Sequence, residues 1–269
     1  MRLTLTTWNI NSVRLRVPLL RQFLASTPVD VLCLQETKCR DGEFPMQAVR
    51  ELGFDHVAIN GQKGYHGVAI ISRLPLTEVE RGTFCRHGHA RHMAATLGPE
   101  AGPAAGLTIH NFYVPAGGDV PDPDLNEKFA HKLHFLDRMA EGAERPASSR
   151  AILVGDLNIA PLETDVWSHR QLLTVVSHTP VEVDALARVQ AAGDWVDAMR
   201  AVIDPGQRLY TWWSYRAQDW ATSNRGRRLD HVWLSPDIAG CLRGVDVCRQ
   251  ARGWARPSDH VPVTITLEF

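Results

Sequence analysis

Ala151-Ile152-Leu153-Val154-Gly155-Asp156-Leu157-Asn158-Ile159 (AILVGDLNI) joins an unbroken apolar run to an acid and an amide spaced by one residue. Apolar residues on both faces mark a central strand covered from each side. A carboxylate at the end of such a strand is costly to bury unless a cation or hydrogen bonds compensate. The stretch therefore predicts a layered fold with chemistry at a strand end. Outward from it, short β-rich runs recur in both directions: LTLTTWNI, VDVLCLQE, GVAIIS, LTIHNFYVP, LDHVWLS and HVPVTITLEF. VDVLCL is again apolar on both faces. Helical periodicity lies between several of these runs, at residues 17–26, 45–52, 124–143 and 180–192, where apolar positions return every three or four residues. Alternating strands and helices indicate an α/β fold with mixed sheets.

The chain has 269 residues with 44% hydrophobic content, enough for one large core, and a single domain spanning 1–269 is expected. Pro and Gly concentrate at residues 99–106 and 115–123, which read as loops within that domain. A formal net charge of -1 excludes an overall basic field, so attraction to phosphate has to come from local clusters. Cys33, Cys39, Cys85, Cys241 and Cys248 are scattered, without a CxxC pair and odd in number. That pattern fits a reducing cytoplasm better than a disulfide framework. No apolar run approaches the roughly 18 residues needed to cross a membrane, and MRLTLTTWNI has no signal-like apolar segment.

Other acids occupy positions like that of Asp156. Glu36 follows VLCLQ, Asp230 lies in RRLDHVWL, and Asp259 precedes the closing strand. Any one of them could cap a helix or pin a turn. Together they suggest hard oxygen ligands for magnesium, which keeps some of its waters and takes further ligands from substrate phosphate. Asn9-Ile10-Asn11 echoes Asp156-Leu157-Asn158, a spacing that projects both polar side chains onto one face, although turn-forming residues at strand ends account for the echo by themselves. His260, next to Asp259, is a candidate donor to a phosphate oxygen. Asp230 is a candidate carboxylate to hold its ring.

TWNINSVR, LQETK, NFYVP, GDLNIAP with NRGRRLD, and PSDHVP occur in that order from residue 7 to residue 262. With these segments the chain resembles bacterial exonuclease III, of the endonuclease/exonuclease/phosphatase superfamily that includes abasic-site DNA repair endonucleases. The resemblance implies a four-layer sandwich of the deoxyribonuclease I type, two mixed β-sheets packed face to face with helices outside. It implies that Glu36 binds the catalytic metal with Asn9 and Asp259 nearby, that Asp156 orients or deprotonates the attacking water, and that Asn158 and Tyr113 hold phosphate oxygens. His260, backed by Asp230, would donate to the scissile phosphate. Asp156, Asn158 and His260 also fall within the expected metal surroundings. The ion would be magnesium, with manganese as a substitute. Asn11 stands where some relatives carry Asp.

The implied activity is hydrolysis of the DNA backbone 5' to abasic sites, with removal of nucleotides or blocking groups from 3' ends. The partner is double-stranded DNA, with no membrane, and the protein is expected to act as a monomer. Arg225, Arg227 and Arg228 precede Asp230, and Arg249, Arg252 and Arg256 precede Asp259, so basic clusters flank two proposed site acids. The resemblance places Trp212 and Leu229 around a pocket for an extruded baseless sugar. Trp167, Ser168 and His169 are assigned to a substrate-side loop. Two rival readings are a superfamily enzyme acting on a non-DNA phosphate ester and a catalytically inactive DNA-binding protein. NRGRRLD and the aromatic run at Trp212 argue against the first, and the filled catalytic positions against the second. Cys85, His87, His89 and His92 crowd one short segment without a distant second pair of ligands, and read as a polar, partly basic loop rather than a zinc site.

Overall fold

The computed structural model describes residues 1–142 and 150–269. Its strands are β1 (Arg2–Asn9), β2 (Val31–Gln35), β3 (His56–Asn60), β4 (Val68–Ser72), β5 (Leu76–Glu80), β6 (His92–Leu97), β7 (Thr108–Tyr113), β8 (Ala151–Asp156), β9 (Val196–Asp197), β10 (Trp212–Trp213), β11 (Gly226–Arg227), β12 (Asp230–Leu234), β13 (Leu242–Val247) and β14 (Val263–Glu268). They form two six-stranded sheets, ordered β13-β14-β1-β2-β4-β3 and β5-β6-β7-β8-β12-β9, and a small β10-β11 ribbon. Each large sheet holds one parallel pair, β1 with β2 and β7 with β8, among antiparallel neighbours. The four-layer sandwich of mixed sheets is therefore the observed architecture.

Period-two patterning builds the layers. Leu3, Leu5, Val31 and Cys33 meet Ile109, Ile152, Val154, Val232 and Leu234 in the core between the sheets. On the outer faces, Leu32 and Leu34 pack under Leu20 and Phe23 of helix Val13–Leu24, while Leu153 and Trp233 pack with Phe135 of helix Glu127–Gly142 and Leu186 of helix Pro180–Ala192. Among the described residues no helix is long and apolar enough to cross a membrane.

Several boundaries differ from the periodicity. The first helix starts at Val13, not at residue 17, because a short helical turn precedes a break at Arg16 (φ -114, ψ 16) just ahead of Pro18, whose missing N–H suits a helix start. Helix Glu127–Gly142 starts three residues beyond the expected 124, after a turn in which the Asp122 carboxylate accepts from the Asp124 and Leu125 amides. The expected final residue, Ala143, lies outside the described residues. Met46–Glu51 falls within the expected helix, and Pro180–Ala192 matches it.

Candidate active site

The inward-facing rows of the strands continue to one edge of the sandwich, where they change from apolar to polar. On β8 the row Ile152, Val154 ends in Asp156, and on β12 it begins with Asp230. Tyr113 of β7, Asp156 and Asp230 lie in register across three neighbouring strands. On the facing sheet Asn9 closes β1, and Glu36 follows β2 in a left-handed turn (φ 52). Gln35 Nε2 spans the two sheets just beneath, donating to Asn111 Oδ1 at 2.7 Å. Gly155 (φ 138) lets β8 press against β7, since a Cβ there would stand 1.9 Å from Phe112 O. Only glycine fits beside Asp156.

Asn9 Nδ2 donates to Glu36 Oε1 and to Asp156 Oδ2, each at 2.9 Å, and so joins the sheets. Tyr113 Oη donates to the same Glu36 oxygen at 2.9 Å. Burial and the Glu36 charge push the phenol well above its ordinary range, so it stays a donor. The backbone N–H of Asn11 donates to Asn9 Oδ1, and that of Asn158 donates to Asp156 Oδ1. Asn11 (φ 49) and Asn158 (φ 56) are both left-handed. The sequence echo is thus a repeated turn, and its two copies touch through Asn9 and Asp156.

His260 Nδ1 lies 2.8 Å from Asp230 Oδ2, and its Nε2 lies 3.6 Å from Asp156 Oδ2. Burial opposes charge on the ring, but the Asp230 and Asp156 carboxylates outweigh it and raise the imidazole pKa far above its ordinary value. Burial, with the charge of Asp230, also raises the carboxyl of Asp156 despite the opposing pull of His260. Asp259 accepts from Trp212 Nε1 at 3.0 Å and Asn11 Nδ2 at 3.1 Å.

These residues suit a hard cation. Ligand atoms of Asp156, Asp230 and His260 lie within 4.8 Å of one another, and Asp230 Oδ1 is buried without a hydrogen-bond partner. In the metal-free site the raised pKa makes the His260 ring a hydrogen-bond donor. Asn9 turns its N–H groups to the acids, and its oxygen accepts one bond from the Asn11 amide, leaving a second lone pair. Asn9, Asn158 and His260 thus stand among the carboxylates where the ion is expected. At Glu36 a positive charge is already in place: Lys38 Nζ lies 2.7 Å from Oε2 and 2.6 Å from Asn11 Oδ1. Burial opposes charge on Glu36, but Lys38 and the Asn9 amide hold its carboxyl below the ordinary range. LQETK contains Lys38, yet only the fold shows its contact.

The acids open into a cavity of about 670 Å³, whose far wall includes Trp167, Trp212, Arg225, Arg227 and Leu229. Arg225 lies over the Trp167 ring at 4.7 Å and Arg227 over Trp212 at 5.4 Å. Arg228 does not share this wall. It is 1% exposed and bonded to Asp165 and Asp197, so the expected contact between Arg228 and a phosphate backbone is corrected to a buried ion-pair role. Arg252 is also buried, donating to Trp213 O. His169 pairs with His178 at 2.8 Å, leaving Trp167 as the part of its loop that lines the cavity.

Lys132, which no sequence motif marks, stands behind the cavity. Fully buried, it donates to Glu182, to Asn158 O at 2.8 Å and to Ala116 O at 3.3 Å, tying together two loops that line the site.

Residues 6–260 match the family model described as "Endonuclease/Exonuclease/phosphatase family". The chain belongs to the endonuclease/exonuclease/phosphatase family. Within this family it is 30% identical over 268 residues to exodeoxyribonuclease III of Haemophilus influenzae, covering 95% of this chain and 96% of that protein. An AP endonuclease from Archaeoglobus fulgidus superposes with a TM-score of 0.90 at 29% identity, over 99% of this chain and 100% of the other. A 3'-5' exonuclease from Neisseria meningitidis gives 0.88 at 32% identity, with the same coverage. The family's fold and the ordered motifs of this chain thus agree end to end.

Proposed function

We propose that the chain is a DNA repair nuclease that hydrolyses the phosphodiester bond 5' to abasic sites, with 3'-5' exonuclease and 3'-end-cleaning activity on duplex DNA. The names of its relatives support the substrate: an exodeoxyribonuclease, an AP endonuclease and a 3'-5' exonuclease. The observation that carries the chemistry is the convergence of Asp156 and the Asp230–His260 pair on one cavity beside Glu36 and Tyr113.

Each side chain has a task in this reading. Asp156 receives the proton of the attacking water, and burial brings its pKa towards the neutral range that suits a general base. Protonated His260 and the Asn158 amide donate to oxygens of the scissile phosphate, where negative charge gathers in the transition state. Tyr113 orients Glu36 and offers its hydroxyl to the same region. Glu36 and Asp259 would hold magnesium, with manganese as a substitute, and the bound ion would supply Lewis-acid stabilisation of phosphate oxygens. Arg225 and Arg227 engage the backbone, and Trp212 with Leu229 encloses a baseless sugar. The protein works as a monomer in the cytoplasm, a setting in keeping with its free cysteines among the described residues.

The test is incision of a duplex carrying one abasic-site analogue in the presence of magnesium, run beside 3'-recessed and 3'-phosphate duplexes. No incision and no loss of 3' nucleotides or 3'-phosphate would refute the proposal.

A further inference from the structure

A second cavity, of about 620 Å³, adjoins the site across Tyr113 and is lined by Tyr65, His66, His87, His89 and His131. Tyr113, Ala116 and Gly118 belong to both cavities. The rings form a continuous track leading away from the catalytic phenol. His66 lies 6.1 Å from the Tyr113 ring and stacks on His89 at 4.4 Å with an interplanar angle of 26°. His87 follows at 5.5 Å from His89, and Tyr65, 72% exposed, stands 6.2 Å from His66 at the mouth.

Nothing in the hydrolytic arrangement uses these rings. The Nδ1 atoms of His66 and His89 are buried without a hydrogen-bond partner; Arg91 and Lys128 bring positive charge to the wall, whose acid, Glu127, is paired with Arg86 and His87. Burial, with Arg91 close by, lowers the His66 pKa to about 3, so its ring is neutral at ordinary pH.

A metal ion is the occupant that four imidazoles first suggest. The structure does bring His131 within 3.2 Å of Cys85 Sγ, supplying a distant ligand that the sequence lacked. Yet His92 has left the group for strand β6, beside His110. Among the described residues, Asp156, Asp230 and His260 alone gather their ligand atoms within 4.8 Å. The neighbouring cations oppose a further one. The stacked His66 and His89 rings, with Arg91 and Lys128 beside them, match a different ligand, a nucleobase with its phosphate. The volume is in the range of small-molecule sites. Only an unpaired base has a face free to stack there, since a paired base is covered by its neighbours in the duplex.

We propose that the track from Tyr113 through His66 and His89 is a stacking subsite for an unpaired nucleobase of the substrate strand beside the scissile phosphate. The inference rests on the nuclease reading for its substrate, but its test does not depend on cleavage. The Asp156→Asn protein is titrated with a duplex whose unpaired nucleotide beside that phosphate is 2-aminopurine, and with a fully paired control. Binding should quench the fluorescence. Adding H66A and H89A should abolish the quench and weaken binding of the unpaired duplex roughly 5- to 30-fold, the scale of one lost base–ring stack, while leaving the paired control unchanged. Neither Nδ1 has a partner to lose, and thermal unfolding checks that the substituted protein folds.

No quench with the Asp156→Asn protein, or a quench that survives both alanines, overturns the subsite. Stoichiometric zinc in the purified protein that disappears with the alanines overturns it in favour of a metal site. Cleavage by the unaltered chain without quenching removes the subsite alone. Quenching without cleavage supports the subsite and removes the nuclease reading.

Discussion

His260 faces two carboxylates through its two ring nitrogens, Asp230 behind it at 2.8 Å and Asp156 across the site at 3.6 Å. The ring is thereby kept protonated where an ordinary histidine would be neutral. In Asp230→Asn the charge behind the ring is gone, so the imidazolium loses its proton at a lower pH. The alkaline limb of the rate profile should move to lower pH, and turnover at neutral pH should fall by about 100-fold or more. Kinetics on an abasic duplex across pH, with the His260 ring followed by NMR, measure both effects.

Asp156→Asn keeps the size of the side chain but cannot take a proton from water. Turnover should drop by about 100-fold or more, while affinity for duplex DNA, measured by fluorescence anisotropy, stays within a few-fold. A loss of binding equal to the loss of rate would assign Asp156 to substrate binding instead.

An α/β fold with mixed sheets was legible because buried strands carry their rule in the sequence, whereas the face-to-face pairing of two sheets came from the resemblance of the ordered motifs. Ile152, Val154 and Asp156 share one parity, which placed an acid at the end of an inward-facing row. The His260–Asp230 contact was visible only as a possibility, since spacing along the chain says nothing about which strand ends meet. Strands β3, β5, β6 and β13 lack so plain a signal. Leu76–Glu80 is mostly exposed at a sheet edge, and His92–Leu97 is built largely from small residues with weak strand preference. Arg227 and Arg228 look alike in sequence, yet only the fold shows that one lines the cavity and the other faces Asp165 and Asp197.

That division predicts opposite phenotypes. Arg228→Met takes the guanidinium from between Asp165, which keeps Arg200, and Asp197, and should lower stability by about 3 kcal/mol, read as a shift of the urea midpoint. Arg227→Ala should instead raise KM for DNA with a smaller change in stability. Equal effects of the two substitutions on stability would contradict the assignment.

Lys132 makes its bonds where no water reaches. Lys132→Met removes the cation from Glu182, which keeps its Ser177 and Thr179 donors, and frees the carbonyls of Ala116 and Asn158. We expect a stability loss of about 3–5 kcal/mol and, below the unfolding temperature, a fall in kcat with little change in KM, because the loop carrying Asn158 loses its anchor. Steady-state kinetics beside denaturant unfolding separate these effects.

Glu36→Gln removes the charge expected to attract the ion. Magnesium affinity by calorimetry should weaken by about tenfold or more, a loss typical even of supporting residues at metal sites. Chelation of divalent ions should abolish activity in the unaltered protein.

Asn9 closes the first strand and His260 precedes the last, yet β1 and β14 are partners, and Ser258 Oγ donates to Asn9 O at 2.7 Å. During synthesis the early strand therefore waits for a neighbour made some 250 residues later. A chain terminated before residue 260 lacks the imidazole and the β14 partner of its first strand. In such a fragment Asp230 has no ring to hold and Asn9 no serine to anchor its carbonyl, so the two sheets meet at this edge without their last fastening.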